Sequence, residues 1–506
     1  MGVTPLLTSF AAGLIAACGF QPIGVWPATI GALVLLLWLI EAAPHLRSAL
    51  ARGWWFGAGY FVLGLNWIAT SFTYQANMPA WLGWVAVVLL AGYLAIYPAA
   101  AAGLAWRYGR RNRLALVLIL AAVVTVTEWL RATLFTGFAW NPLGVVLLPT
   151  SIAWLATLVG TYGLSAIAVL IAGIIWLPIR GRWHSAGLLL LGVVGASALA
   201  IAVAGKAPPP GKLALRIVQP NIGQEDKWKP GSEDLGMELL ARYAQRDGSG
   251  PRLLLWPEAA VTLALEDGRQ GEIYQENAAI VRRQVGRMLT PGDLLLTGGI
   301  TIRSRDGVDA TSATNSIFAI DPQGRIHARY DKSHLVPYGE YLPMRPLLSS
   351  IGLSRLAPGD IDFDAGPGAQ TLTMPLAGAV GFQLCYEIIF SGQVVDRRHR
   401  PAVLFNPSND AWFGAWGPPQ HLAQARMRAL EEGLPVLRAT PTGISAVIDA
   451  DGRLVASLRW RTAGAIDAQL PSPKRPTLFA RVGNIASLLL ALLLAAAAIA
   501  VRHKQG

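Results

Sequence analysis

Three residues stand at the ends of strand-like runs, and their chemistry is complementary. Leu253-Leu254-Leu255-Trp256-Pro257-Glu258 ends on a carboxylate, Arg329-Tyr330-Asp331-Lys332 on an ammonium, and the apolar run 377–384 on the thiol of Cys385. In open α/β sheets ligands bind outside the carboxyl ends of strands, so three strand ends can converge on one pocket. A free thiol is only a few per cent thiolate near neutral pH, and it needs a base to attack a carbonyl. Glu258 would take that proton, and Lys332 would face the oxyanion that develops, whose stabilisation usually contributes most to acyl transfer. Spacing alone leaves the ordinary readings open. Glu and Lys after strands are commonly solvated loop residues, and a lone cysteine packs as a small hydrophobe.

The elements that must position these residues divide the chain in two. Of 506 residues only 14% are charged, and the 18 tryptophans suit a protein with membrane interfaces. Apolar stretches at 6–20, 26–40, 54–69, 81–106, 114–129, 152–177 and 186–204, with a last one at 482–501, approach the ~20 residues needed to cross a bilayer. The net charge of +12 would suggest nucleic acid in a soluble chain. Here many basic residues fall in short loops: Arg47 and Arg52 after the second stretch, Arg107, Arg110, Arg111 and Arg113 after the fourth, Arg180 and Arg182 after the sixth, Arg502 and Lys504 after the eighth. The alternate loops hold only Arg131, so the positive-inside rule makes both termini cytoplasmic. Residues between the seventh and eighth spans are then outside, which in a bacterium is the periplasm, with the spans in the inner membrane. Nucleic-acid binding is excluded on this reading.

Cys18, the other cysteine, follows Ile15-Ala16-Ala17 and could pass for a lipid-attachment site, but no Lys or Arg precedes it as a secretory leader requires. It reads as a packed helix residue. Glu128 and Arg131 read as a local pair at a helix end. The expected organisation is a bundle over residues 1–205, a catalytic domain over 206–481, and a last span with a basic tail over 482–506. Within the middle segment, strand-like runs at 213–219, 253–256, 294–298, 317–320, 377–384, 402–405 and 445–448 alternate with helical patterns at 232–246, 274–289 and 420–432. That alternation predicts an α/β sheet covered on its faces.

Trp256-Pro257-Glu258, Tyr330-Asp331-Lys332 and Leu384-Cys385-Tyr386-Glu387 resemble the Glu-Lys-Cys signature of the nitrilase superfamily, whose members form a cysteine acyl intermediate on an αββα sandwich. Asn406-Pro407-Ser408-Asn409-Asp410 and Arg438-Ala439-Thr440-Pro441-Thr442-Gly443 resemble its later strands, with Pro441 where relatives usually place Asn. The run from Lys332 through Pro337-Tyr338-Gly339-Glu340 to Pro343 resembles the apolipoprotein N-acyltransferase family more narrowly. So do Asn409-Asp410-Ala411-Trp412-Phe413-Gly414, Gln420-His421, and Ala425-Arg426-Met427-Arg428-Ala429. Cys18-Gly19-Phe20-Gln21-Pro22 and Phe479-Ala480-Arg481-Val482-Gly483-Asn484 are similar to that family's membrane portion.

The resemblance implies a bundle of about eight transmembrane helices joined to an α/β nitrilase-like αββα sandwich. It implies Glu258 as base, Lys332 as oxyanion partner and Cys385 as nucleophile, supported by Glu340, Glu387 and Tyr386, with Trp228, Asn315 and Trp412 fitting substrate. The implied reaction moves a fatty acyl chain from a phospholipid, typically phosphatidylethanolamine, to the α-amino group of a diacylglyceryl-cysteine. Its partners are that phospholipid, the diacylated apolipoprotein and the membrane; the chain is expected to act as a monomer with no cofactor and no metal. The apolar loop 344–353 reads as a membrane-dipping arm or a core-packed loop. His334 and His421 suggest a Cys-His protease, but Glu258 and Lys332 already supply base and cation. Two other classes stay open: a membrane-tethered carbon–nitrogen hydrolase with the same triad, and a transporter or receptor in which Cys385 is dispensable. Few intramembrane charges count against transport.

Overall fold

A computed structural model describes residues 3–74, 79–206, 208–227, 229, 231–245, 250–350 and 361–503. Among the described residues, five helices are long and apolar enough to cross a membrane: Leu82–Gly109, Arg113–Thr133, Ser151–Ile179, Trp183–Val203 and Ile485–His503. Val3–Ala17 and Trp26–Glu41 are shorter apolar helices. The span expected at 54–69 is displaced: its helix runs Leu46–Gly64, with Arg47 and Arg52 inside it rather than in a loop. The His45 side chain starts that helix by accepting from the Ser48 N–H at 3.1 Å, and Arg52 reaches back to the Leu39 carbonyl at 2.5 Å. A long basic side chain can thus sit near the start of an apolar helix by turning its head back to a neighbouring helix end.

Helix Val3–Ala17 packs on Leu46–Gly64, and Arg113–Thr133 packs on both Ala156–Ile179 and Ile485–His503. The last helix therefore returns to the bundle, beside Arg113–Thr133 and Ala156–Ile179. One end of the bundle is basic: Glu41 binds Arg113 at 2.6 Å and Arg180 at 2.9 Å. The α/β domain docks at the opposite helix ends, through residues 71, 137, 140, 141 and 161.

The domain is two facing sheets. Strands β1 (Ala214–Gln219), β2 (Arg252–Leu255), β3 (Ala264–Asp267), β4 (Leu294–Arg303), β5 (Ser312–Ile320) and β6 (Ile326–Asp331) build the first. Strands β7 (Thr371–Met374), β8 (Gly378–Phe382), β9 (Val403–Pro407), β10 (Val436–Ala439), β11 (Ala446–Ile448) and β12 (Leu454–Ser457) build the second, and β13 (Gly464–Gln469) returns to the first. Their orders are β13-β1-β2-β4-β5-β6, with β3 beside β4, and β12-β11-β10-β9-β8-β7. β1, β2 and β4 run parallel, as do β8, β9 and β10, so Glu258 and Cys385 leave from carboxyl ends of central strands.

Leu215, Ile217, Leu253, Leu255, Val380, Phe382, Val403 and Phe405 fill the space between the sheets. Helices Ser232–Ala244 and Glu272–Gly286 cover the outer face of the first sheet. Helix Gly417–Glu432 covers the second, and there Leu404, Met427 and Val436 join one apolar core with the membrane helices. The sandwich and the bundle are thus held by a shared interior.

Helix Ala156–Ile179 is broken at Gly160, whose φ of 68° and ψ of 179° are open only to glycine. The freed Thr161 N–H donates to Glu431 of the α/β domain at 2.5 Å, and Arg428 pairs with the same carboxylate at 2.8 Å. A Cβ at Gly160 would lie 2.2 Å from Phe479. Gly160→Ala therefore destabilises the protein by about 1–3 kcal/mol from backbone strain alone, read as a lower thermal midpoint in detergent. An unchanged midpoint would show that the break is not needed.

Glu128 and Arg131, expected from sequence to pair, interact through their charges but make their hydrogen bonds to other groups. Glu128 accepts from the Leu143 N–H at 2.9 Å and from the Ser165 hydroxyl, while Arg131 donates to the Phe138 and Trp140 carbonyls at 2.7 and 2.9 Å. Both side chains hold the irregular 134–142 segment and the first N–H of the 3-10 turn Leu143–Leu147 to the bundle, taking up backbone groups that secondary structure leaves unpaired. Cys18 lies just past helix Val3–Ala17 and its thiol turns back to the Leu14 carbonyl at 3.4 Å.

Candidate active site

Glu258 leaves β2 after Pro257 and is 7% exposed. Its Oε1 accepts from Asn315 Nδ2 at 2.8 Å and lies 3.6 Å from Lys332 Nζ, and its Oε2 accepts from the Asn409 N–H at 2.6 Å. Gly298 on β4 makes this approach possible: a Cβ there would stand 2.7 Å from the Glu258 Cα.

Lys332 is 1% exposed and directly follows β6. Its Nζ donates to Glu340 at 2.9 Å. Burial works against the ammonium, but the carboxylates of Glu340 and Glu258 outweigh it and hold the group well above the ordinary lysine range. Asn315 Nδ2 bridges the two carboxylates, reaching Glu340 at 2.9 Å, and the Val336 N–H caps Glu340 at the same distance. Asn315, expected from sequence to fit substrate, thus spaces the two acids around one cation.

Cys385 sits in the tight turn after β8 with φ of 53°, unusual for a residue with a side chain. Burial pushes its thiol well above the usual range, and the Glu258 charge adds to that, while Lys332 and the Asn409 N–H pull the other way. At rest the thiol is protonated. Soluble iodoacetamide should therefore label Cys385 more slowly than free cysteine (pKa about 8.5) at pH 8, and its rate should still be rising at pH 10. Labelling that levels off near pH 7 would contradict this.

Glu387 is 3% exposed and holds the cysteine turn to the lysine loop. Its carboxylate accepts from the Ser333 N–H (2.7 Å), the His334 N–H (2.9 Å), the Leu384 N–H (2.7 Å) and the Tyr330 hydroxyl (2.9 Å). Burial raises its carboxyl above the usual range, with these donors acting against the rise. Tyr386 is buried, with its hydroxyl 3.3 Å from the Gly137 carbonyl of the bundle. Trp412 is half-buried, edge-on to Tyr74, and its carbonyl accepts from Ser71 at 3.0 Å. Trp228 lies outside the described residues. His334 packs its ring 3.9 Å from Phe390, and His421 contacts the Cys385 carbonyl. Met344 and Leu347 are exposed rather than packed in the core; residues 351–360 of the same loop lie outside the described residues.

Glu258, Lys332 and Cys385 thus come together, buried and within reach of one another's charge. Such a cluster holds a base, a fixed cation and a nucleophile, the parts of acyl transfer through a thioester. Residues 214–475 match the model of the carbon-nitrogen hydrolase family, and residues 12–174 that of the apolipoprotein N-acyltransferase N-terminal domain. An apolipoprotein N-acyltransferase of Rhodopseudomonas palustris is 37% identical, over 96% of this chain and 92% of that one. The chain belongs to the apolipoprotein N-acyltransferase family. Another member, from Caulobacter vibrioides, is 37% identical over 98% of this chain and 94% of its own. Among solved structures, Nit3 of Saccharomyces cerevisiae, a member of branch 10 of the nitrilase superfamily, overlaps 53% of this chain and 92% of its own at 16% identity and a TM-score of 0.37.

Family membership accounts for the joining of a bundle to a two-sheet domain. Sequence reasoning gives no role to Asn406 or Arg438, although both lie in segments that resemble the superfamily's later strands. They are fully buried polar residues on central strands, where an apolar side chain would be expected, and that mismatch is the signal that could have found them.

Proposed function

We propose that this chain moves a fatty acyl group from a phospholipid, typically phosphatidylethanolamine, to the α-amino group of the diacylglyceryl-cysteine that begins an apolipoprotein. The observation that carries the reading is the buried Glu258–Lys332–Cys385 cluster in a domain whose core continues into apolar helices. Cys385 attacks the lipid ester carbonyl as Glu258 takes the thiol proton, and Lys332 stabilises the oxyanion. The intermediate collapses with release of a lysophospholipid alcohol, to which Glu258 returns the proton, and a thioester remains. The lipoprotein amine then attacks the thioester, Glu258 accepts its proton, and the Cys385 sulfur leaves and is reprotonated. Two half-reactions through one covalent enzyme predict ping-pong kinetics.

The bundle has a physical reason to accompany this chemistry. At about 0.8 kcal/mol per CH₂, drawing a sixteen-carbon chain into water would cost on the order of 12 kcal/mol, so the thiol must be met from the bilayer. We place residues 206–481 in the periplasm and the basic bundle end, with Glu41, Arg113 and Arg180, in the cytoplasm. The protein then sits in the inner membrane with both termini cytoplasmic, and acts as a monomer. Tyr386, held against Gly137, and Trp412, beside Tyr74, face the junction where donor and acceptor would meet.

Purified protein incubated with phosphatidylethanolamine and a diacylated lipopeptide should give a lipopeptide heavier by one acyl group, with one lysophospholipid released per transfer. Hydrolysis of soluble amides in the absence of lipid, without lipopeptide acylation, would replace this reading with the hydrolase one.

A further inference from the structure

The strained turn at Cys385 is held from behind by a buried polar network that the reaction above does not use. The Cys385 carbonyl accepts from His421 Nε2 at 3.1 Å and from Asn406 Nδ2 at 3.3 Å. A carbonyl oxygen only accepts, so Nε2 of His421 carries a proton. The other ring nitrogen lies 2.9 Å from Asp410 Oδ1 and 3.0 Å from Arg438 Nη2. Arg438 also binds Asp410 Oδ2 at 2.6 Å, Ser408 at 3.0 Å, and the Asn406 side-chain oxygen. One guanidinium therefore orients both donors. His421, Asp410, Arg438 and Asn406 are all fully buried, and Gly443 leaves them room, since a Cβ there would stand 2.6 Å from Asp410 Oδ2.

Four buried polar side chains are costly unless their hydrogen bonds are met. Here Asp410 and Arg438 hold His421 and Asn406. His421 reaches the Cys385 carbonyl, and Asn406 shares its amide between that carbonyl and that of Gln383, the latter at 2.6 Å. The Cys385 carbonyl belongs to the residue with φ of 53°, a conformation that costs about 1–3 kcal/mol unless its surroundings impose it. The peptide plane is rigid, so fixing the Cys385 carbonyl fixes the direction of the Tyr386 N–H on its far side and the Cα that carries the thiol.

We propose that His421 is a positioning residue for acyl transfer, acting through the Cys385 carbonyl to hold the nucleophile turn in its reactive geometry. This rests on Cys385 being the nucleophile, as in the reading above. His421 donates no proton to substrate or thiol; its hydrogen bond sets the angle at which the sulfur meets the ester.

The test uses the full chain in detergent with phosphatidylethanolamine and no acceptor, following acyl-enzyme formation by intact mass. Wild type and Cys385→Ala run alongside, so failure of wild type to gain an acyl group marks failure of the earlier reading, not of this one. His421→Gln can still place a donor near the Nε2 position, whereas His421→Asn is too short to reach the Cys385 carbonyl. H421N should slow acylation on the order of 10- to 100-fold, the cost of a small misplacement of a reacting group, at unchanged KM for lipid and with a thermal midpoint close to that of H421Q. H421Q should stay within a few-fold of wild type. Acylation by folded H421N at the wild-type rate would overturn the proposal, and so would an H421Q that folds but is slowed tenfold or more. Should H421N fail to fold, H421Q decides alone by the same limits.

Discussion

Glu258→Gln lowers the rate of acyl-enzyme formation by on the order of 10²- to 10⁴-fold, the usual worth of a positioned proton acceptor. Glutamine is nearly isosteric and one of its oxygen sites still accepts from Asn315 or Asn409, but it cannot take the Cys385 proton. The same substitution has a second effect of opposite sign. The Glu258 charge helps to raise the Cys385 thiol, so removing it lets the thiol ionise at lower pH. Iodoacetamide labelling of E258Q should therefore reach its half-maximal rate at a lower pH than in wild type, even though acyl transfer is lost. A variant that merely distorted the pocket would not give slower acylation together with easier ionisation. Acylation of E258Q at the wild-type rate would remove Glu258 from the mechanism.

Lys332→Met should be the more damaging change to the protein as a whole. Its ammonium lies between Glu258, 3.6 Å away, and Glu340, 2.9 Å away, with only 1% of the residue exposed. Removing it takes the ammonium from between two buried carboxylates, which costs about 3–5 kcal/mol, visible as a lower thermal midpoint. In the fraction that folds, loss of the oxyanion partner lowers acylation by about 10²–10³-fold. The thiol responds in the direction opposite to E258Q, because Lys332 is the charge that lowers it: half-maximal labelling moves to higher pH. A Glu340→Gln, Lys332→Met double variant should recover part of the midpoint and none of the acylation. Recovery of both would mean that Lys332 serves folding alone.

Glu258 and Cys385 are legible in the sequence because each follows a run of buried residues, whereas Lys332 follows a strand that is buried only at Tyr330 and Asp331. β2 is buried throughout and parallel to both neighbours, and β8 is buried over its last three residues, where it runs parallel to β9, so both end in apolar runs. Edge and outer strands carry no such signal. β6 alternates half-buried and exposed residues until Tyr330, and β12 has none buried, so neither stands out in full from sequence. The bounds of helix Leu46–Gly64 are obscured because Arg47 and Arg52 interrupt its apolar window, while the structure tucks the Arg52 head back to Leu39. Side chains whose work is contact between distant segments are the least legible. Asn315 looks like a polar strand residue until β5 is laid beside Glu258 and the Glu340 loop, and Glu128 takes its hydrogen bonds from Ser165 and Leu143, well beyond its helical neighbour Arg131 in sequence.

The most direct test of the account is the intact mass of wild type and Cys385→Ala after incubation with phosphatidylethanolamine alone. Wild type should gain one acyl group that hydroxylamine removes and a diacylated lipopeptide discharges, and C385A should gain none. A wild-type protein without that gain, or an equal gain on both proteins, would contradict a thioester at Cys385.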